Sequence, residues 1–405
     1  MLPQFLKGIR FADFTWAGAG TFATKIFSDF GADVVKIESH GRPDNTRIAG
    51  PFKDGVAGLN RSGYFSSRNT GKKSFTANLK TPEGMAVVRD IIAQSDVVSN
   101  NFAAGAMDRL GLSYDDVRKI KGDIVYLAMP MYGSAGPLAK MPGLGMTISA
   151  VTGLTGLTGY HEGPPVGPGT HFPDHAANPY HAAFAVMAAL RLRDKNGTGM
   201  EIDFSQVESM LNCVGLPFLE YQVTGIEPQR VGNRSRFHAP HNMFACKGDD
   251  RWCAIAVLDD SQWQALCRTI GRADLAADTT LAAAGGRLAA VDRIEVAVGE
   301  WTATREPRDV METLQAAGVP AGMVSDCRDL MDDDPQLRHR GFWQSIAHPE
   351  MGATREHSPP YLIDDERVTL RRAPLIGEHT DEVLTSVLGY SPERIAELRG
   401  TGVLD

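Results

Sequence analysis

The first forty residues confine this chain to a narrow class of folds. Residues 9–14, IRFADF, read as a short strand, and TWAGAGT follows as a Gly-rich turn. FATKIFSDFG reads as a helix closed by Gly31, and ADVVKIE (32–38) as a second, largely apolar strand. Such a strand suits a parallel sheet covered on both faces, whose neighbours are reached only through a crossover. The cycle then repeats: KSFTANL as strand, TPEGMAVVRDIIAQS as helix, DVVSNN as strand, YDDVRKIKG as helix and DIVYLAMPMYG as strand. Thr81 is a suitable N-cap with Pro82 at the first helical position. This alternation predicts an α/β fold built on an open parallel sheet.

Residues 134–170 are rich in Gly, Pro and Thr and read as loops, followed by a helix over about 179–193. KNGTGMEIDFSQVESMLN then gives a turn, a strand and another helix. From about residue 228 the character changes. NMFACKGDDRWCAIAV reads as a β-hairpin with a GDD turn, and Ala-rich helices follow. The tail holds a Pro-rich stretch and ends in helices such as TDEVLTSVLG and SPERIAELRG. The expected organisation is a large domain at 1–227, a small α+β domain at 228–325, and a C-terminal segment, 326–405, returning to the large domain. A chain of 405 residues is long enough for two cores.

A net charge of −8 argues against a nucleic-acid surface, while leaving room for a local basic pocket that takes an anionic metabolite. The five cysteines, Cys213, Cys246, Cys253, Cys267 and Cys327, are odd in number and form no CxxC pair. Reduced thiols are expected, with no metal site and no disulfide framework. The N-terminus lacks a signal-peptide core, and no apolar run approaches the length of a membrane span, so a cytoplasmic protein without membrane contact is expected.

Two features carry chemistry. Gly18-Ala19-Gly20-Thr21-Phe22-Ala23 fits G-x-G-x-x-A between a strand and a helix, and Glu38 ends the second strand. That is the fingerprint of a dinucleotide site, which keeps an NAD-dependent Rossmann oxidoreductase open. Any tight strand-to-helix turn would also use these glycines. The second feature is Asp174, a carboxylate just ahead of a long apolar helix, which either caps that helix or reacts. Asn178 followed by Pro179 is a competing N-cap and N1 pair, and would leave Asp174 in a loop above the helix. His171 and His175 flank it and could touch a substrate or fill a polar loop. Glu208 reads as an exposed helix acid.

Several separate blocks resemble the family III CoA-transferases, a group structurally related to the α-methylacyl-CoA racemases. They are GIRFADFTWAGAGTFATKIFSDFGADVVKIE, RNTGKKSFTANLKTPEG, DVVSNNFAAGAMDRLGLSYD and the tail from DDDPQLRHRGFW to RRAPLIGEHTDEVL. The resemblance implies a Rossmann-like large domain with a smaller domain, in two chains that interlock. It implies an enzyme that moves CoA from an acyl-CoA thioester to a free carboxylic acid, with CoA as substrate and no tightly bound cofactor. A homodimer is expected, and a heteromer with a related subunit is also compatible. The family's nucleophilic aspartate matches Asp174.

An aspartate suits that chemistry. Exchange without hydrolysis requires the acyl activation to be stored covalently, as an anhydride and then an aspartyl-CoA thioester. A carboxylate is ionised from about pH 4 upward and needs no metal or general base. Proximity, exclusion of water and backbone donors do the rest. For CoA, the resemblance points to Trp16, Ala17, Gly18 and Ala19 along the pantetheine, Asn101 and Phe102 near the adenine, and Lys72, Arg109 and Lys140 as basic contacts.

The sequence departs from the family in places. Members often carry Gln where Gly18 stands and Arg where Ser39 stands, with Arg42 able to compensate. The Gly-Gly-Gly-Gly loop of the small domain is replaced by RVGNRSRFHAPHN. Racemases use a His where PGLGMT places Leu144, which cannot move a proton, so racemisation is the weaker alternative. The acids exchanged stay open, and Trp16, Phe172 and Tyr160 hint at something larger than formate or oxalate.

Overall fold

The computed structural model describes residues 4–404. Six parallel strands form one sheet in the order β3-β2-β1-β4-β5-β6, the order of a doubly wound fold. In chain order they are β1 (Arg10–Asp13), β2 (Asp33–Glu38), β3 (Lys73–Thr76), β4 (Val97–Asn100), β5 (Val125–Ala128) and β6 (Met200–Asp203). Alternation along the strands shows why both faces are covered. Phe11, Val34, Val97 and Val125 enter one core, packed by α1 (Ala19–Asp29) and the long helix Asn178–Asn196. Ala12, Val35, Val98 and Tyr126 enter the other, packed by Pro82–Ala93, Tyr114–Ile120 and the C-terminal helix Pro392–Gly400. Each fully buried Val or Ile contributes about 1.5–3 kcal/mol.

By contacts the chain divides into two compact units. The larger comprises Met1–Thr155, Gly167–Ile226 and Gln336–Asp405, and holds the six-stranded sheet. It also holds a hairpin, Trp343–His348 with Gly352–His357, which the sequence reading missed in the tail. The smaller unit comprises Gly156–Val166 and Glu227–Pro335. Its antiparallel sheet pairs His241–Ala245 with Trp252–Ala256, the hairpin expected around the GDD turn, and adds a third strand, Ala321–Met323. Trp263, Leu266, Ile294 and Leu314 are buried in its own core.

The expected cap at Thr81 is present: its hydroxyl accepts from Gly84 N–H at 3.0 Å, with Pro82 at the first turn. The loop-rich stretch 134–170 contains two short helices, Gly145–Val151 and Leu154–Leu157. The expected cap at Asn178 is not found. Asn178 has helical dihedrals (φ −58°, ψ −46°), and its side-chain amide donates to Gln206 Oε1 at 3.0 Å. Instead of a loop, a π-helical turn, Pro173–Ala177, carries Asp174 directly into the long helix. No described helix is long and apolar enough to cross a membrane.

Candidate active site

Asp174 is only 9% exposed, and no cation lies within ion-pair distance of it among the described residues. Two glycines make room for its side chain. A Cβ at residue 18 would come within 2.9 Å of Asp174 Cβ and 2.8 Å of the Tyr64 hydroxyl. A Cβ at residue 145 would come within 2.8 Å of Asp174 Oδ2. The carboxylate therefore sits between two bare stretches of backbone, which only Gly permits at this distance. Burial pushes its pKa up to about 6, against the weaker pull of His171 and a hydrogen bond from the Gly145 backbone. The sequence-based expectation of ionisation from about pH 4 is therefore corrected: the buried group ionises about two units later.

The turn from Trp16 to Ala19 is held from two sides. Asn101 Oδ1 accepts from Trp16 N–H at 2.8 Å while its Nδ2 donates to Trp16 O at 2.7 Å. Ala17 adopts a left-handed φ of 57°, and its N–H donates to Asp44 Oδ1 at 3.1 Å. The Trp16 ring meets Phe102 edge-on at 5.5 Å, with the Arg42 guanidinium 5.3 Å above it. Trp16, Ala17, Gly18, Ala19, Asn101 and Phe102 thus lie together, with Gly18 facing Asp174. Asn101 spends its side chain on the Trp16 backbone, which makes it a clasp for the turn.

Lys72 does not lie on a binding surface. It is fully buried, donating to Thr24 Oγ1 at 2.7 Å and Thr21 O at 3.0 Å, with Asp13 Oδ2 at 3.2 Å. Burial lowers its pKa to about 8, partly offset by Asp13. Lys72, expected as a basic contact of CoA, is instead held in a structural ion pair with Asp13, with both side chains buried. Arg109 and Lys140 are exposed. Lys140 borders a cleft of about 470 Å³ together with Gly105, Asp108, Ser134 and Pro137. Arg109 Nη1 lies 3.6 Å from the Cβ position of Gly105, at the same rim.

Glu38 is engaged elsewhere as well. Its carboxylate accepts from Arg47 Nε and Nη2, each at 2.8 Å, and from Ser74 Oγ at 2.8 Å, and it is buried. No oxygen is left for a ribose, and the dinucleotide reading loses its acidic partner. Glu208 is exposed in the first turn of its helix, as expected. Leu144 immediately precedes Gly145 and is 64% exposed, so an aliphatic side chain stands at the position where the sequence of a racemase carries its proton-moving His. Phe172 is part-exposed in the larger unit, and Tyr160 belongs to the smaller one.

Sequence reasoning overlooked the neighbours of Asp174 on the helix Gly63–Arg68. Ser62 caps it, accepting from Phe65 N–H at 3.2 Å. Tyr64 and Arg68 then fall four residues apart on one face. Burial and the charge of Asp174 raise the Tyr64 pKa to about 12. His175 packs against Tyr64 and Phe22, and burial with Arg68 lowers its pKa to about 4. The Y-x-x-x-R spacing was visible in GYFSSR, but it becomes a signal only once a helix is placed there.

Comparison with known proteins gives a consistent picture. The family model for CoA-transferase family III matches residues 6–380. A formyl-CoA:oxalate CoA-transferase of Streptomyces coelicolor is 30% identical over the full length of both chains. The human succinyl-CoA:glutarate CoA-transferase is 29% identical, over 99% of this chain and 90% of its own. Among solved structures, a CAIB/BAIF family protein from Brucella suis superposes with a TM-score of 0.86 at 28% identity, covering 95% of this chain and all of the other.

Proposed function

As a member of CoA-transferase family III, the chain is an enzyme that transfers CoA between an acyl-CoA and a carboxylate, and we propose that Asp174 is its covalent nucleophile. The observation that carries this reading is a buried carboxylate with no cation within ion-pair distance among the described residues, pinched between the backbones of Gly18 and Gly145. A structural carboxylate at that depth would be paired. An unpaired one is poised to exchange its charge for a bond.

The steps balance without an added proton or oxidant. An Asp174 oxygen attacks the thioester carbonyl, the C–S bond breaks, and CoA leaves as thiolate beside a mixed anhydride. The thiolate attacks Asp174 Cγ, releasing the first acid as carboxylate and leaving an aspartyl-CoA thioester. The acceptor carboxylate attacks the same Cγ, expelling the thiolate and forming the second anhydride. The thiolate then attacks the acceptor's carbonyl, which yields the new acyl-CoA and frees Asp174. With a pKa of about 6, Asp174 is ionised roughly ten to one at pH 7. Leu144 supports transfer over racemisation, since no proton has to move at the α-carbon.

The Trp16–Ala19 turn with Phe102 would carry the pantetheine and adenine, and Arg109, Lys140 and Arg42 the phosphates. A second copy of the chain is proposed to complete the enzyme. Support comes from apolar side chains left open in the larger unit: Phe184 at 76%, Leu216 at 79% and Val223 at 75% exposure. The test is trapping. Incubation with an acyl-CoA and borohydride or hydroxylamine, followed by peptide mass spectrometry, should mark Asp174 alone. Continued CoA exchange with an unmarked Asp174 overturns the covalent route.

A further inference from the structure

We infer that Arg68, one helical turn from the Tyr64 whose hydroxyl borders Asp174 beside Gly18, forms a carboxylate receptor, and that the acid handled here is a short dicarboxylate. The inference rests on Asp174 being the reacting group. Its own basis is the side-chain cluster around Phe22. The Arg68 guanidinium stacks on the Phe22 ring at 4.6 Å, and its Nη1 donates to His357 Nε2 at 2.9 Å. Its Nε is sealed from solvent with no acceptor. No acidic side chain lies within ion-pair distance of it among the described residues.

The groups facing Arg68 are Tyr64 on its own helix, His175 and Tyr180 on the π turn and long helix, and His357 and Glu356 on the hairpin. Both histidines are held neutral, chiefly by burial, and the carboxylate of Glu356 accepts instead from Ser66 Oγ at 2.8 Å. A half-buried cation with no carboxylate within ion-pair distance, facing two neutral histidines and two phenols, is costly unless an anion completes it. Guanidinium matches a carboxylate better than any other side chain does.

Spacing supplies the substrate class. The Tyr64 hydroxyl and Asp174 border the same space beside Gly18, and Arg68 lies four residues on from Tyr64, so the Cβ atoms of Tyr64 and Arg68 are about 5–6 Å apart. An acid with one carboxylate at the reacting carbonyl and another a few carbons away would meet both. A monocarboxylate would leave Arg68 unfilled.

The experiment compares four-carbon acids, succinate against butyrate, as CoA acceptors for the wild type, Arg68→Gln and Arg68→Lys. Succinate is expected to be the better acceptor for the wild type. Arg68→Gln should raise its KM about 10- to 100-fold while changing the acyl-CoA KM less than about twofold. Arg68→Lys should restore part of the loss. Calorimetry of free succinate on the unreacted protein is the second readout, and its binding should vanish in Arg68→Gln. Should no acid accept CoA, the transfer reading falls, yet Arg68-dependent succinate binding would still support the receptor. Equal use of both acids, or unchanged succinate binding in a folded Arg68→Gln protein, overturns it.

Discussion

Asp13 and Asp174 are both buried aspartates of the larger unit, and they have opposite surroundings. Asp13 ends β1 and accepts from Thr15 Oγ1 at 2.6 Å, Thr24 Oγ1 at 2.9 Å and Ser99 Oγ at 3.0 Å, with Lys72 at 3.2 Å. Burial is the largest influence and would raise its pKa, but Lys72, Lys36 and the Thr15 hydrogen bonds together outweigh it and hold Asp13 below the usual carboxylate range. Nearby, Lys36 pairs with Asp44 at 2.7 Å and donates to Thr15 O at 2.5 Å. Every charge there has a counter-charge, and the network fixes the turn above β1. Asp174 has a single backbone donor, and burial wins. A satisfied buried charge is scaffold, whereas an unsatisfied one is available for chemistry.

The largest expected effect breaks the comparison at its reactive end. Asp174→Ala should lower CoA transfer by about 10⁴-fold or more. Acyl-CoA binding should stay close to wild type and the midpoint of thermal unfolding should not fall, and substantial residual transfer would refute the assignment. Removing a partner at the scaffold end comes next. Lys72→Met strands Asp13 in the interior and should cost about 3–5 kcal/mol in chemical denaturation. A loss below about 1 kcal/mol would mean that Lys36 alone compensates Asp13.

The third prediction uses pH. The folded pKa of Asp174, about 6, lies above the ordinary 3.8. The folded state therefore binds the proton more tightly. The resulting stabilisation is complete below about pH 4 and is lost as pH rises through 6. The wild type should lose about 2.4 kcal/mol relative to Asp174→Asn between pH 4 and pH 7. A pH-independent difference between the two proteins contradicts an unpaired buried carboxyl. Over the same range, transfer should rise with pH as Asp174 ionises. The smallest effect is steric: Gly18→Ala forces a methyl against Tyr64 and Asp174, and should slow transfer about 10- to 100-fold with little change in stability. An unchanged rate would show that the pocket yields.

The sheet was legible because its strands alternate between two apolar faces, as Phe11/Ala12 and Val34/Val35 do, and because Gly and Pro mark the turns. Trp343–His348 and Gly352–His357 escaped because TREH and WQSIAH carry too little apolar alternation to announce a hairpin. Asp174 was singled out through resemblance, since spacing alone favoured a helix cap. Its partners were not found that way. Gly145 lies 29 residues upstream in a segment read as loop, and Tyr64 lies on a short helix that composition does not reveal. Lys72 failed in the other direction: a lysine in a matched motif looks like a phosphate contact until its burial against Asp13 is seen. Local pattern fixes faces and turns, but which distant residues meet at a carboxylate depends on how the crossovers return.

The π turn at Pro173–Ala177 has a consequence for how this site could be lost or acquired. Such a turn holds one residue more than an α turn. Deleting a single residue there would let the helix close in regular register, rotating everything upstream by about 100°. The carboxylate would leave its slot without any change in the sheet or the helix behind it. The position of the proposed nucleophile is thus encoded as a count along the chain, and one codon separates this arrangement from one without it.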